Sequence, residues 1–419
     1  MSVSIRDIRL PDGRTTTVHV EGNRIEEVGK KREADVTIDG RGKALLPGFV
    51  NTHTHAAMTL LRGYADDMNL QEWLSTKVWP AEARLTPEAV YWGTKLACLE
   101  MVKSGTTCFN DMYFHMDAAA RAVAESGIRG VLSEGFIDSF DAARAEAEFR
   151  KAREVVRTIE SMRNPRVRPA VGPHAIYTVS RESLVALHTW AEERGYLLHI
   201  HVGETSAEVE NARKDHGKGP VEYLDALGLL GPNTVAAHCC WLSDADVRTF
   251  AQRGVKVAHC PVSNMKLATG RAMPLAAMRA AGVTVSLGTD GAASNNNLDM
   301  FESMKVAALL HKFAANEPTI AASHEVFAMA TIGGARALGV DAGEIAAGKL
   351  ADLVLIDLRR PELTPLHNLI SNVVYAASGG CVDTVLCDGR VLMQGRQIPG
   401  EAEILETASS FAAKIAGAS

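Results

Sequence analysis

Eight apolar, β-rich runs alternate with helical stretches along most of the chain, and this alternation constrains the fold more than any other feature. Helical stretches such as 87–104 and 181–194 separate most of the runs. Eight β units alternating with helices predict an α/β fold of the (β/α)₈ TIM-barrel type. The alternative is a doubly wound open sheet, which usually has fewer strands and needs a crevice at a switch point. The runs span residues 48–55, 105–112, 127–136, 167–174, 196–204, 233–240, 255–261 and 283–291.

Both ends of the chain carry short β runs without long helical periodicity. Residues 1–47 contain such runs separated by turn signals, and residues 348–400 contain a hairpin signal at 387–390. Each segment is too small to fold well alone, so we expect the two to complete one small β-sandwich domain. The predicted remainder is the barrel over 48–347 and a C-terminal helix over 401–419.

The composition is that of a globular protein, since 47% of the 419 residues are hydrophobic and 22% are charged. The formal net charge is −6 and no Lys/Arg block supplies a phosphate-binding face, so we expect no nucleic-acid partner. No uncharged apolar stretch reaches the ~18 residues of a membrane span, and the first residues lack the pattern of a secretory leader. The sequence therefore predicts a cytoplasmic enzyme without a membrane partner.

Polar side chains lie where the predicted barrel strands end. His53 and His55 end the first run, and because they are two positions apart in a strand, both side chains point to one face. His201, His238 and Asp290 end three later runs. The C-terminal ends of barrel strands converge on one face, where active sites lie. Residues far apart in sequence can therefore share one metal ion there.

Imidazoles with one carboxylate are ligands that Zn²⁺ or Fe²⁺ takes when it must also hold a reactive water. Glu204, three residues after His201, is a candidate proton carrier. His199 precedes His201 in an H-x-H pair but lies one layer deeper, where we expect a supporting or packing role. His238 is either the remaining imidazole ligand or a hydrogen-bonding partner of the metal-bound water. Asp290 is placed to bind the metal and to accept a proton from that water.

Other functional patterns are absent from the sequence. It contains no H-E-x-x-H, no H-x-E…P-C-x-x-C and no G-x-x-x-x-G-K-[ST], which argues against those metalloproteases, cytidine-type deaminases and triphosphate hydrolases. Seven cysteines without C-x-x-C spacing disfavour a disulfide framework or a Cys₄ zinc site. The fourth run ends in His174 and offers no lysine to bridge two metals. One ion per chain is therefore the simpler interpretation.

Five segments make the chain recognisable: PGFVNTHTHAAMTLLRG, HIHVGETSAE, VAAHCCWLS, CPVSNMKLATG and LGTDGAASNNN. They resemble the amidohydrolase superfamily. The sequence is most similar to the branch of 5′-deoxyadenosine, 5′-methylthioadenosine and S-adenosylhomocysteine deaminases, which is related to the chlorohydrolases. The resemblance runs from about residue 40 to 395. It implies a barrel with one Zn²⁺, or Fe²⁺ as in some relatives.

The resemblance also implies roles for individual residues. Glu204, His238 and Asp290 would carry the catalytic proton transfers, and Glu204 and Asp290 would also contact the substrate. The implied metal ligands are His53, His55, His201 and Asp290.

Further positions match residues that bind the nucleoside in this family. Trp73 would line the pocket, Glu82 would hold the ribose hydroxyls and His174 would hydrogen-bond the nucleoside. Relatives that accept S-adenosylhomocysteine carry two arginines, of which Arg144 would match one, while Glu134 stands at the position of the other. The resemblance therefore implies an incomplete carboxylate clamp and a tolerant 5′ side.

The implied reaction is hydrolytic deamination of a 6-aminopurine nucleoside. Asp290, helped by His238, would take a proton from the attacking water, and Glu204 would protonate ring N1. One alternative is a related hydrolase acting on guanine, cytosine or an s-triazine, and Glu82 discriminates because a base without ribose gives it nothing to bind. The other is an inactive barrel acting as a scaffold, which would have lost ligands, and none is lost. The expected partners are a small-molecule nucleoside and further copies of the chain in a homo-oligomer.

Overall fold

The computed structural model describes residues 1–417, in which sixteen β-strands occur. Eight of them, β6 to β13, form a parallel sheet in chain order with helices between most neighbours, which confirms the predicted barrel. Seven of these strands are shorter than the predicted runs, and β7 has the predicted length but is shifted by one residue. The strands are β1 (Ser2–Arg9), β2 (Thr15–Glu21), β3 (Arg24–Val28), β4 (Val36–Asp39), β5 (Lys43–Pro47), β6 (Phe49–Thr54), β7 (Thr106–Tyr113), β8 (Arg129–Phe136), β9 (Val167–Pro173), β10 (Leu198–Val202), β11 (Thr234–His238), β12 (Lys256–His259), β13 (Thr284–Leu287), β14 (Leu353–Asp357), β15 (Val382–Cys387) and β16 (Arg390–Met393).

The barrel closes where its first strand, β6, meets its last strand, β13, and the loop that follows. The Asp290 backbone N–H donates to the His53 carbonyl over 3.0 Å, and the Thr52 hydroxyl donates to the Leu287 carbonyl over 2.9 Å. Gly288 marks the closest approach, because a Cβ there would lie 2.9 Å from both the Cβ and the carbonyl oxygen of His53. The closure therefore brings the end of β6 directly beside the loop after β13.

Barrel strands are buried on both faces, as expected for a parallel sheet covered by helices. Every residue of β7 is buried. The preceding helix, Pro87–Lys103, begins at Thr86, whose hydroxyl accepts the Ala89 N–H over 3.2 Å. It is followed by Gly105 with φ of +86°, a conformation that glycine adopts without steric penalty. The cap at Thr86 and the left-handed Gly105 therefore fix where this helix begins and where the chain turns into β7.

Strands from both chain ends form the second sheet. Its order is β16-β15-β14-β5-β1-β2-β3, with β4 also paired to β1. The sheet curls until its ends meet, since Ile25 of β3 and Leu386 of β15 share one apolar core and the Ile25 N–H donates to the Lys349 carbonyl over 2.8 Å. The predicted small β unit is thus one curled, mostly antiparallel sheet. Its exact boundaries at residues 47 and 348 stay predictions.

Helices lie between most of the barrel strands, and one further helix lies near the C-terminal end of the chain. The C-terminal helix packs against Pro87–Lys103, while residues 418–419 of the predicted helix lie outside the described residues. No helix in the described part of the chain is long and apolar enough to cross a membrane. Besides Pro87–Lys103, the helical segments are Ala56–Leu61, Leu70–Trp73, Leu74–Val78, Trp79–Glu82, Met116–Ser126, Ala142–Ser161, Arg181–Arg194, Ser206–His216, Pro220–Ala226, Asp244–Arg253, Pro261–Lys266, Leu275–Ala280, Met300–Ala315, Ser323–Ala328, Met329–Gly333, Gly334–Leu338, Pro361–Leu363, Leu369–Tyr375, Gly379–Cys381 and Glu401–Ala416.

Candidate metal centre and active site

Four of the predicted residues meet at the C-terminal end of the barrel. His53 lies in β6, His55 directly follows it, His201 lies in β10 and Asp290 follows β13. Asp290 Oδ1 is 3.3 Å from His53 Nε2 and 3.2 Å from His55 Nε2. Ligand atoms of the three histidines lie within 4.8 Å of one another. The three imidazoles are thus close to one another, and Asp290 lies beside two of them.

Each of the three histidines is anchored through its other ring nitrogen. Such contacts fix the ring orientation and leave the Nε2 lone pair free for a metal. His199, one layer deeper in β10, provides one of these anchors. The contacts join His53 Nδ1 to His199 Nε2 at 2.8 Å, His55 Nδ1 to the Met112 carbonyl at 2.5 Å, and His201 Nδ1 to the His174 carbonyl at 2.7 Å.

The charge state of these groups suits a divalent cation. Within residues 1–417, His53 Nε2 and Asp290 Oδ1 are buried without a hydrogen-bond partner, which is costly unless an ion satisfies them. Burial lowers the pKa of His53 to about 4 and that of His201 well below its usual value, so both rings are neutral at neutral pH. Burial alone would raise the pKa of Asp290, but the adjacent His53 and His55 lower it well below its usual value. Imidazole lone pairs with one carboxylate fit a zinc-type or iron-type ion.

The Asp290 side chain is held in place by hydrogen bonds to one of its two carboxylate oxygens, Oδ2. Its φ is +62°, in the left-handed region that non-glycine residues seldom adopt. Asp290 Oδ2 accepts hydrogen bonds from the Ser263 hydroxyl at 2.6 Å and the Ser294 hydroxyl at 2.8 Å. Only Oδ1 is therefore left to face the histidines. Neither serine was predicted from the sequence to have a role, although both lie in recognisable segments.

His238 lies beside this group at the end of β11. Its ring stacks on that of His201 with centroids 5.4 Å apart. Its Nδ1 is 2.9 Å from Asn264 Nδ2 and 3.9 Å from Glu204 Oε1. With Asp290 and one of the histidines, His238 also forms a second ligand-like group. The geometry accommodates both predicted roles, as a further ligand and as a neighbour that handles protons.

Glu204 is a buried carboxyl group on the pocket wall. Its burial, together with the charge of Asp290, raises its pKa to about 8, so it is mainly protonated at neutral pH and can donate a proton. Glu208 holds the backbone at this point, because its carboxylate accepts the N–H groups of Gly203 and Glu204 over 2.8 and 2.9 Å. Glu208 was not predicted from the sequence, although an acidic residue in the first turn of a helix is a capping signal.

A pocket, here called the inner pocket, opens from the metal-binding group. Five of the predicted substrate-contacting residues line it: Trp73, Glu82, His174, Glu204 and Asp290. Burial raises the pKa of Glu82 to about 7, an effect that the neighbouring Tyr113 partly offsets. His174 Nδ1 lies 2.9 Å from the Thr178 hydroxyl, which sets the orientation of its ring. The remaining lining is mostly apolar or aromatic and includes Met58, Leu70, Leu74, Val78, Trp79, Met112, Phe114, Ile137, Tyr177 and Leu267.

A second cavity, the outer pocket, continues from the first. The two share four lining residues, and Glu82 is the only charged one among these, so it lies at their junction. Arg144 lines only the outer pocket, where its guanidinium is 3.2 Å from the Ser139 hydroxyl. The shared residues are Trp79, Glu82, Phe114 and Ile137, and the others lining the outer pocket are Ala83, Ser139, Arg144 and Thr178.

Glu134 lines neither of these two pockets, so the expectation that it replaces a pocket arginine is wrong. Its carboxylate accepts the N–H groups of His115 and Met116 at 3.2 and 2.9 Å and lies 2.6 Å from Lys151 Nζ. Side chains alternate between the two faces of a strand. Glu134 therefore faces the helices outside β8, whereas Gly135 lines the inner pocket.

Comparisons with known proteins point to one family. The chain is 55% identical to the 5′-deoxyadenosine deaminase of Methanoregula boonei over 383 residues, covering 91% of this chain and 87% of that protein. It is 52% identical to the 5-methylthioadenosine/S-adenosylhomocysteine deaminase 1 of Archaeoglobus fulgidus, with coverage of 95% and 94%. A solved adenosine deaminase from Xanthomonas campestris with bound zinc is 36% identical and superimposes with a TM-score of 0.93, with coverage of 99% and 98%. Residues 44–392 match the amidohydrolase family, and the chain belongs to that family.

Proposed function

We propose that the protein catalyses the metal-dependent hydrolytic deamination of 5′-modified adenine nucleosides to the inosine-type product and ammonia. The observation that carries this proposal is Glu204, a buried carboxyl group with a pKa of about 8 that lines the same pocket as the converging histidines and Asp290. Attack by water on a ring carbon and protonation of the ring nitrogen need these two elements side by side. The names of the relatives, deaminases of 5′-deoxyadenosine, 5-methylthioadenosine and S-adenosylhomocysteine, support the same substrate class.

The residues of the site divide the proton transfers between them. When bound, a divalent ion supplies a water of lowered pKa for attack on C6 of the base. Glu204 donates its proton to ring N1, which makes C6 more electrophilic. Asp290 and His238 are placed to take one proton from the attacking water, and Asp290 then delivers it to the departing ammonia. The second proton of that water leaves the oxygen on C6 and restores Glu204. Each positioned acid or base contributes roughly 10²–10⁴ in rate.

The two pockets suit a base, a ribose and a 5′ substituent in that order. With the base held near Glu204, the ribose reaches the junction, where Glu82 accepts hydrogen bonds from its hydroxyls. His174 and Trp73 contact the nucleoside from the inner pocket wall. The 5′ substituent then enters the outer pocket, whose single lining cation in the described chain is Arg144. We expect 5′-deoxyadenosine and 5′-methylthioadenosine to be handled at least as well as S-adenosylhomocysteine, with adenosine as a further substrate.

The metal we propose is zinc, one ion per chain, held by His53, His55, His201 and Asp290, with Fe²⁺ as the alternative. The zinc in the Xanthomonas campestris structure supports this choice. Elemental analysis of the purified protein tests it directly. His201→Ala should lose the ion and nearly all activity. Full activity after chelation, with no transition metal in the protein, would contradict the proposal.

An ammonia-release screen tests the substrate class. It should include adenosine, 5′-deoxyadenosine, 5′-methylthioadenosine, S-adenosylhomocysteine, guanine and cytosine. The half-buried Glu82 at the pocket junction favours nucleosides over free bases, because only a ribose offers it a partner. Greater activity on guanine or cytosine than on any nucleoside would favour the alternative of a related hydrolase that acts on another heterocycle, s-triazines included.

Assembly into a homo-oligomer and a cytoplasmic location stay predictions. Sedimentation velocity at several protein concentrations would test the first of them. A monomer at every concentration would contradict it.

A further inference from the structure

One buried carboxylate outside the candidate catalytic group joins two walls of the outer pocket. Asp138 lies two residues beyond the end of β8 and is fully buried. It accepts the Phe140 N–H at 2.9 Å on its own loop. From the loop after β9, it accepts the Ser180 N–H at 2.9 Å and the Ser180 hydroxyl at 2.6 Å. Its carboxylate therefore fastens the two loops to each other.

Residues flanking these contacts line the substrate pockets. Ile137 and Ser139 stand on either side of Asp138 in the first loop, and Tyr177 and Thr178 precede Ser180 in the second. The Ser139 N–H also donates to the Thr178 carbonyl over 3.0 Å. The Asp138 contacts therefore tie together two loops that both contribute lining residues to the outer pocket.

The loop after β8 needs such support because of its backbone. Ser139 and Phe140 are consecutive non-glycine residues with φ of +51° and +62°. This left-handed conformation is unfavourable for residues with a Cβ. Burial alone would raise the pKa of Asp138, but hydrogen bonds from Ser180, Ser183 and the Phe140 N–H lower it below its usual value. An ionised acceptor is therefore available at neutral pH to hold the loop.

We propose that Asp138 is a positioning residue that determines how well large 5′ substituents are bound. It touches no reacting atom and acts by holding the Ile137–Ser139 wall against the Tyr177–Thr178 wall. The inference rests on the proposed function, because it assumes that the 5′ substituent enters the outer pocket. Substrates with a long 5′ group depend on this geometry, whereas those that end at the 5′ carbon do not.

The test compares kcat and KM for S-adenosylhomocysteine and 5′-deoxyadenosine in a set of variants. Asp138→Ala removes all the carboxylate contacts. Asp138→Asn keeps one acceptor oxygen and should retain part of the binding of the long 5′ group. Ser180→Ala removes the hydroxyl contact to Asp138 together with the cap that this hydroxyl gives the Ser183 N–H at 3.4 Å, so thermal unfolding reports the cost of the lost cap. The matched control is Glu182→Gln, which removes an exposed carboxylate from the first turn of the helix that follows Ser180. Metal content and thermal unfolding are measured for every variant.

We expect Asp138→Ala to lower kcat/KM for S-adenosylhomocysteine by about 10- to 100-fold relative to 5′-deoxyadenosine, mainly through KM. Asp138→Asn and Ser180→Ala should give smaller changes of the same sign, and Glu182→Gln should give none. If Asp138→Ala does not fold, the kinetics of Asp138→Asn and Ser180→Ala decide whether the inference holds. An unchanged ratio, or an equal loss on both substrates, would overturn the inference while leaving the proposed function intact. A wild-type enzyme that deaminates neither nucleoside would overturn both.

Discussion

Three glutamates of the site region have different environments and therefore different chemistry. Burial, together with the charge of Asp290, raises the pKa of Glu204 to about 8. Glu208 is equally buried, but its oxygens accept two backbone N–H groups, and its pKa rises only to about 7. Glu82 lies at the pocket junction with a pKa of about 7. Of these three glutamates, Glu204 has the highest pKa, which suits it best to donate a proton at neutral pH.

Replacing the proposed acid tests this distinction. Glu204→Gln keeps the shape of the side chain but cannot protonate N1, so kcat should fall by roughly 10² or more with the metal retained. Glu210→Gln, an exposed change on the following helix, is the matched control. Steady-state kinetics and elemental analysis provide the measurements. Turnover near that of the wild type would remove Glu204 from the mechanism.

Ribose binding should depend on pH through Glu82. Burial raises its pKa to about 7, so the carboxylate that accepts two hydroxyl hydrogen bonds forms only as pH rises through that value. KM for ribonucleosides should therefore increase as pH falls below about 7, by up to 10- to 150-fold when this interaction is lost. A 2′,3′-dideoxy substrate should show no such dependence of KM on pH.

Glu82→Ala should weaken kcat/KM for ribonucleosides by a similar factor at high pH and keep the metal. An unaltered pH profile of KM in this variant would contradict the assignment of ribose binding to Glu82.

At the scale of elements, the site depends on how closely β6 approaches the segment after β13. Gly288→Ala would place a Cβ 2.9 Å from the Cβ and carbonyl oxygen of His53. The resulting shift should destabilise the protein by about 1–3 kcal/mol and weaken metal binding, since His53 and Asp290 flank the contact. Gly219→Ala, which meets open space, is the control. The measurements are the free energy of unfolding in denaturant and the metal affinity from a titration. Wild-type values of both in Gly288→Ala would show that close approach to His53 is not the reason for glycine at this position.

The elements also show what the sequence could predict. The strand ends identified His53, His55, His201 and Asp290 because parallel barrel strands all deliver their C-terminal residues to one face. The sequence did not reveal which side of a strand each residue faces, so Glu134 was wrongly given a pocket position. The contacts that neighbouring segments make with the site residues could not be predicted from the sequence either. The hydroxyls on Asp290 Oδ2 come from a short helix and a loop whose relative positions follow only from the folded barrel.

For the whole molecule, a buried ion cluster couples the barrel to the second sheet. Arg129 opens β8, and its guanidinium lies 3.1 Å from both the Asp352 and Asp388 carboxylates. Arg166 lies 3.4 Å from Asp388. Asp352 directly precedes β14, and its carbonyl accepts the Gly48 N–H at the entrance to β6 over 2.8 Å. The second sheet is therefore fastened to the ends of the barrel strands opposite the candidate site.

Breaking this ion cluster should lower the free energy of unfolding without lowering kcat. Asp352→Ala leaves the buried Arg129 short of one partner, and removing one member of a buried ion pair costs about 3–5 kcal/mol. Asp357→Ala, which breaks a pair with the exposed Arg359, should cost at most about 1 kcal/mol. Because Gly135, at the pocket, is about 20 Å from Arg129 along β8, the folded Asp352→Ala enzyme should keep its metal and kcat. Denaturant unfolding, with kinetics well below the transition, checks both parts, and a large loss of kcat in the folded variant would show that the second sheet also shapes the site.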